Sequence, residues 1–163
     1  MTRVDRLFGT ISARSFLRDY WQRRPLLVRA AIPAFTDPLD RREVLALAGN
    51  PDAQARLVRR RGTRWSLEQG PIAPREFARL PKRDWTVLVQ DTQHFSRAAQ
   101  RLLEKFSFIP HARVDDLMVS YAVPGGSVAP TWIPTMSSSC RGWGGGAGGY
   151  RARKTTHSAP AFP

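Results

Sequence analysis

Groups able to bind metals, protons or anions are few in this chain, and their spacing is uneven. Each of the three histidines, His94, His111 and His157, is followed two residues on by a non-acidic side chain. His94 and His111 precede the strand described below and read as loop or core histidines; His157 is assigned nothing. The single cysteine, Cys140, rules out an intrachain disulfide framework and fits a reducing compartment, with the cytoplasm as the default location. Arginine is the abundant chemical group. The run Arg59-Arg60-Arg61-Gly62-Thr63-Arg64 sets four guanidinium groups around one turn, where planar forks of donors could grip phosphate. A solvated basic turn is the plainer reading of the same residues.

The elements that must position such groups centre on Val114 to Pro130. Leu117, Val119, Tyr121 and Val123 alternate with Met118, Ser120 and Ala122, the period of a strand with two different faces, and Pro124-Gly125-Gly126 stops the ladder. This stretch is expected to be a core strand that delivers the backbone into a glycine turn. Upstream, Ser12 can cap a helix running through Arg24, with Phe16, Leu17, Tyr20 and Trp21 on one face. Pro25-Leu26-Leu27-Val28-Arg29 then reads as a short strand. Asp40 with Glu43 forms a capping-box pattern ahead of Val44 to Ala48, and Gly49 is placed to close that helix. Leu57-Val58 and Trp65-Ser66-Leu67 flank the arginine run as a hairpin. Pro74 opens a helix through Leu80, Trp85 to Gln90 is an apolar strand, and Ser96 caps a helix that presents Ala99, Leu102, Leu103 and Phe106 on one side.

A length of 163 residues and a hydrophobic content of 42% suit one domain with a real core. No segment approaches the roughly 20 apolar residues of a membrane span, so no membrane partner is expected. Net charge is +13, and residues 1–130 hold 22 of the Lys and Arg residues together with all 13 acids. A basic chain often meets RNA or another polyanion. With 23 arginines against 3 lysines, the same charge also fits the imprint of GC-rich coding DNA on solvated faces.

The Asp115-Asp116-Leu117-Met118 strand and the Pro124-Gly125-Gly126 turn resemble the entry to the iron site of the JmjC/cupin ribosomal oxygenases. The Tyr20-Trp21 helix ahead of Pro25-Leu26-Leu27-Val28, and the strand Trp85 to Gln90, resemble that family too, so the likeness covers about residues 12 to 130. It implies an α+β fold made of the amino-terminal helices and strands of a double-stranded β-helix (jelly roll), incomplete in this chain. It also implies a parent activity, the hydroxylation of a ribosomal-protein arginine with iron(II) and 2-oxoglutarate. Asp115, Asp116 and Ser120 match family positions near the pocket, where Asp116 could hold a basic substrate or the aspartate pair could cap the strand; the structural role is favoured.

The family's turn leads into Pro-His-x-Asp, which supplies two iron ligands, whereas this chain reads Pro130-Thr131-Trp132-Ile133. Back-translation offers a reason. Thr-Trp-Ile is written ACN-TGG-ATH, and moving the frame back one base gives NAC, NTG and GAT, which permits His-x-Asp and forces the Asp. The same shift continues through Pro134 to Ser137 as a permitted Ser-Tyr-Asp-Val, and through Trp143 to Gly149 as Gly-Arg-Arg-Arg-Trp-Arg, both like the family's continuation. Residues 1–130 are therefore expected to be the amino-terminal part of a JmjC/cupin domain, and residues 131–163 a disordered Gly/Arg/Ser-rich tail read out of frame. On that expectation no residue is catalytic or metal-binding, and the chain binds neither iron nor 2-oxoglutarate. Unpaired strand edges would favour poor solubility or self-association. The alternative reading is a non-enzymatic basic module that binds RNA or the ribosome through its arginines and glycine-rich tail.

Overall fold

In a computed structural model of the protein, the described residues are 11–128, except 30 and 33. The proposed tail, with Cys140 and His157, lies outside them. The elements are α1 (Ala13–Asp19), α2 (Arg41–Ala48), β1 (Ala55–Arg61), β2 (Arg64–Gln69), α3 (Pro74–Arg79), β3 (Trp85–Val89), α4 (Arg97–Glu104) and β4 (Val119–Ala122). One antiparallel sheet runs in the order β2-β1-β3-β4. The architecture is the expected α+β one.

β3 is buried at every residue, so Trp85, Val87 and Val89 face one way while Thr86 and Leu88 face the other. The first set packs with Ala55 and Leu57 of β1 and with Val44 and Ala48 of α2, and Ile72 and Leu39 close the cluster. Burying each large apolar side chain contributes about 1.5–3 kcal/mol, so this cluster dominates the stability of the unit. Phe77 of α3 sits against Trp85, with ring centroids 6.2 Å apart. Tyr121 of β4 also meets that indole, with ring centroids 5.8 Å apart.

Local chemistry sets the helix starts. Asp40 accepts from the Glu43 amide at 2.8 Å while the Glu43 carboxylate accepts from the Asp40 amide at 2.7 Å, a complete capping box. Ser12 accepts from the Ser15 amide at 3.1 Å and Ser96 from the Ala99 amide at 3.4 Å. Pro74 occupies the first turn of α3, where its missing N–H costs nothing. Gly49 closes α2 with an ordinary right-handed φ of −89°; its small size matters because a Cβ would press on the Ile72 carbonyl at 3.2 Å.

Three expectations are corrected. The first helix stops at Asp19 rather than Arg24, because the chain turns through Gln22 at φ 58° and Trp21 donates back to the Phe16 carbonyl. The apolar cluster survives that change, since Phe16 still packs on Tyr20, Trp21 and Phe108. Pro25 to Arg29 forms no strand among the described residues, with Arg29 in a turn, and Leu27 is 80% exposed. Finally, Leu117 to Val123 does not lie in the sheet interior. Only Val119–Ala122 is laddered, β3 is its sole described partner, and its residues alternate between half-buried and exposed. Among the described residues β4 is an edge strand, which explains the alternation read from the sequence.

Candidate functional site

β4 is fixed mainly at its two ends. At its entry, Asp91 takes up a left-handed conformation at φ 54°, and its amide donates to the Asp116 carboxylate at 3.1 Å. Both the amide and the hydroxyl of Thr92 donate to the Leu117 carbonyl, at 3.1 and 2.6 Å. The Leu117 amide in turn donates to the Gln93 side-chain oxygen at 3.0 Å, and Gln93 donates to Asp91 at 3.2 Å. The loop that ends β3 thus grips the residues that begin β4.

The exit is held by Asp84, which is also left-handed at φ 67°. Its amide donates to the Pro124 carbonyl at 2.9 Å, its carbonyl accepts from the Arg60 amide at 2.8 Å, and its carboxylate accepts from the Arg60 guanidinium at 2.6 Å. The turn itself closes through the Gly126 amide to the Val123 carbonyl at 2.8 Å, with Pro124 and then Gly125 at φ 76° in its centre, the sequence a type II turn demands. Gly126 lies so close to β3 that a Cβ there would overlap the Trp85 carbonyl oxygen and stand 2.8 Å from the Thr86 hydroxyl. Gly125 supplies the backbone hand and also leaves room for the Asp84 carboxylate, while Gly126 supplies space against the main chain of β3.

The structure separates the residues matched to the pocket. Asp116 is half-buried and serves the clamp at the entry of β4, Asp115 beside it is exposed, and Ser120 is exposed on β4 opposite Leu88. His94 ends a short 3-10 turn (Thr92–His94) and His111 opens another (His111–Arg113); both are exposed. Among the described residues, no three His, Cys, Asp or Glu side chains gather closely enough to hold a metal ion. These residues do not fit the iron that the resemblance implies. The stretch after Pro130, where the family's His-x-Asp would fall, reads Thr131-Trp132-Ile133 and lies outside the described residues.

Sequence reasoning missed a second constellation. The hairpin arginines are largely strand residues, since β1 runs to Arg61 and only Gly62 and Thr63 form the loop. Arg59 pairs with Glu68 across the hairpin and Arg60 with Asp84. Beside them, Arg59, Arg60, Arg61, Arg79, Glu76 and Asp84 line a cleft of about 190 Å³ over Trp85 and Pro81. Arg79 comes from α3, and no local spacing could have placed it there.

An antiparallel sheet with helices packed on its core face, and an edge strand clamped into a Pro-Gly-Gly turn, is a scaffold of the JmjC/cupin class. No family model matches the chain. A probable ribosomal oxygenase of Haemophilus influenzae is 40% identical over 119 residues, covering 72% of this chain and 29% of the relative. The ribosomal protein uL16 3-hydroxylase of Escherichia coli is 33% identical over 121 residues, covering 74% and 32%. The solved structures of the Escherichia coli ribosomal oxygenase YcfD with cobalt and 2-oxoglutarate, and with cobalt and succinic acid, each superpose with a TM-score of 0.69 at 33% identity, covering 73% of this chain and 32% of theirs. The chain belongs to the ribosomal oxygenase family and spans about a third of the length of these relatives.

Proposed function

We propose that this chain is the strand-and-turn scaffold of an iron(II)- and 2-oxoglutarate-dependent oxygenase that hydroxylates a ribosomal-protein arginine in the cytoplasm, and that as written it is inactive. The observation that carries the reading is the clamped β4 strand and its Pro124-Gly125-Gly126 exit, which aim the backbone toward residues that should bear ligands and here do not. The family relationship supports the substrate class, since one relative is named for uL16 hydroxylation and a solved neighbour holds cobalt with 2-oxoglutarate. The forced Asp codon and permitted His codon after Pro130 support the loss of one base there. An exposed β4 edge and half-covered apolar residues such as Leu67 and Met118 support self-association of the product.

The test is an oxygenase assay on purified chain with iron(II), 2-oxoglutarate and ribosomal protein uL16. The written chain should form no succinate above the substrate-free rate. The product of the gene with its frame set back one base at the Pro130/Thr131 boundary should form succinate and add one oxygen to the ribosomal protein. Turnover by the written chain, or a coding sequence without His and Asp codons in the shifted frame, overturns the proposal.

A further inference from the structure

The cleft beside the hairpin is a second functional surface. Of its four lining arginines, Arg60 is committed to Asp84 and Arg59 to Glu68. Among the described residues Arg61 and Arg79 make no ion pair or side-chain hydrogen bond, and both are exposed at the cleft wall. Two carboxylates also line the cleft, Asp84, which is paired with Arg60, and Glu76, which lies 4.0 Å from Arg75, so the four arginines outnumber them. Arg59 adds an independent sign: its Nε is shielded from solvent and has no acceptor. A buried donor without an acceptor carries a desolvation cost that an anionic oxygen would relieve. Arg59 and Arg61 stand two residues apart on one face of β1, about 6.6 Å along the strand, so their head groups can share one extended anion.

On the same hairpin, Trp65 is 37% exposed, with the Arg60 guanidinium 5.8 Å from its ring centroid. Trp65 is the cross-strand partner of Arg60, so its indole stands on the sheet face opposite Arg59 and Arg61, around the hairpin from the cleft, where a half-open ring offers a nucleic-acid base a stacking platform. From these observations we propose that the Arg59/Arg61/Arg79 cleft binds a backbone phosphate of single-stranded RNA, and that the strand passes around the hairpin so that Trp65 stacks on a base on its other face. This goes beyond hydroxylation, since it needs neither iron nor 2-oxoglutarate.

The experiment is fluorescence anisotropy of the full chain with a labelled oligouridylate RNA across a salt series, without iron or 2-oxoglutarate. Arg61→Ala/Arg79→Ala should weaken binding about tenfold more than Arg97→Ala/Arg101→Ala, which removes equal charge from exposed positions of α4. The dependence of log affinity on log salt should flatten by about 1.4, at about 0.7 per lost phosphate contact on a single strand. Trp65→Ala should weaken RNA binding and leave competition by inorganic phosphate unchanged. Equal losses from the two arginine pairs mean diffuse charge and overturn the site. Loss with the cleft pair but none with Trp65→Ala, together with equally strong binding of inorganic phosphate alone, identifies a free-phosphate site and overturns the RNA assignment. None of these outcomes bears on whether a frame-restored chain hydroxylates.

Discussion

Replacing Gly126 by alanine should test whether the turn after β4 is locked onto β3. The new methyl would overlap the Trp85 carbonyl and lie 2.8 Å from both the Thr86 hydroxyl and the Val123 carbonyl, and the Trp85 and Val123 obstacles are main chain, which cannot swing aside. Relief therefore requires moving the turn off the sheet by about 1 Å, a strain of about 1–3 kcal/mol. Moving it also weakens the Asp84 amide to Pro124 carbonyl bond and the Val123 amide to Trp85 carbonyl bond, each worth about 1 kcal/mol. The expected loss is about 2–4 kcal/mol, or about 10 °C in Tm for a unit of this size. Gly62→Ala is the matched control. Gly62 has φ 60° but nothing within 4 Å of a Cβ, so only the left-handed penalty of about 1 kcal/mol applies. Urea and thermal unfolding followed by far-UV circular dichroism give both values. If Gly126→Ala costs no more than Gly62→Ala, the close approach of the turn to β3 is not the reason for glycine there and the argument fails.

Asp40→Ala removes an exposed but complete capping box and should cost about 1 kcal/mol by urea denaturation, with Glu43→Ala accounting for less because the N-cap oxygen remains. Thr86→Val removes a buried hydroxyl that has no partner, and should leave stability unchanged or raise it by up to about 1 kcal/mol in the same assay. Leu27→Ser should change stability by less than about 0.5 kcal/mol, because that side chain is 80% exposed; a larger loss would show that Pro25 to Arg29 is paired after all.

Most of what was legible in the sequence is governed by neighbours along the chain. The caps at Ser12, Asp40 and Ser96, the proline at the head of α3 and the apolar run of β3 depend on residues within four positions, and all form as read. Pro25-Leu26-Leu27-Val28 failed for the complementary reason. Its pattern suits a strand, but a strand exists only where a partner offers its backbone groups, and that partner is not encoded nearby. The left-handed turns at Asp84 and Asp91 were invisible because aspartate is common in ordinary loops, and their stabilising bonds reach 25 or more residues away, to Asp116 and Pro124. Separation along the chain also hid the meeting of Arg79 with Arg61 at one cleft. Asp116 was legible as a choice between holding a substrate and capping a strand, and its bond to the Asp91 amide accounts for one carboxylate oxygen structurally.

The clamps at the two ends of β4 also explain how a scaffold can stand apart from its chemistry. A four-residue strand laddered to one neighbour has little intrinsic hold on its register, yet a slip of one residue would turn Tyr121 away from Trp85 and from the Arg41 guanidinium, which lies 5.5 Å from its ring. Asp116 and Leu117 fix the register at one end and Pro124 fixes it at the other, through bonds that involve no metal ligand. The direction in which the chain leaves Gly126 is therefore set by Asp84, Asp91 and the fit of a glycine against β3. Among the described residues, none of the contacts that shape the turn comes from a metal-ligating group, so under the proposed loss of one base a restored frame would meet a strand end already held in place.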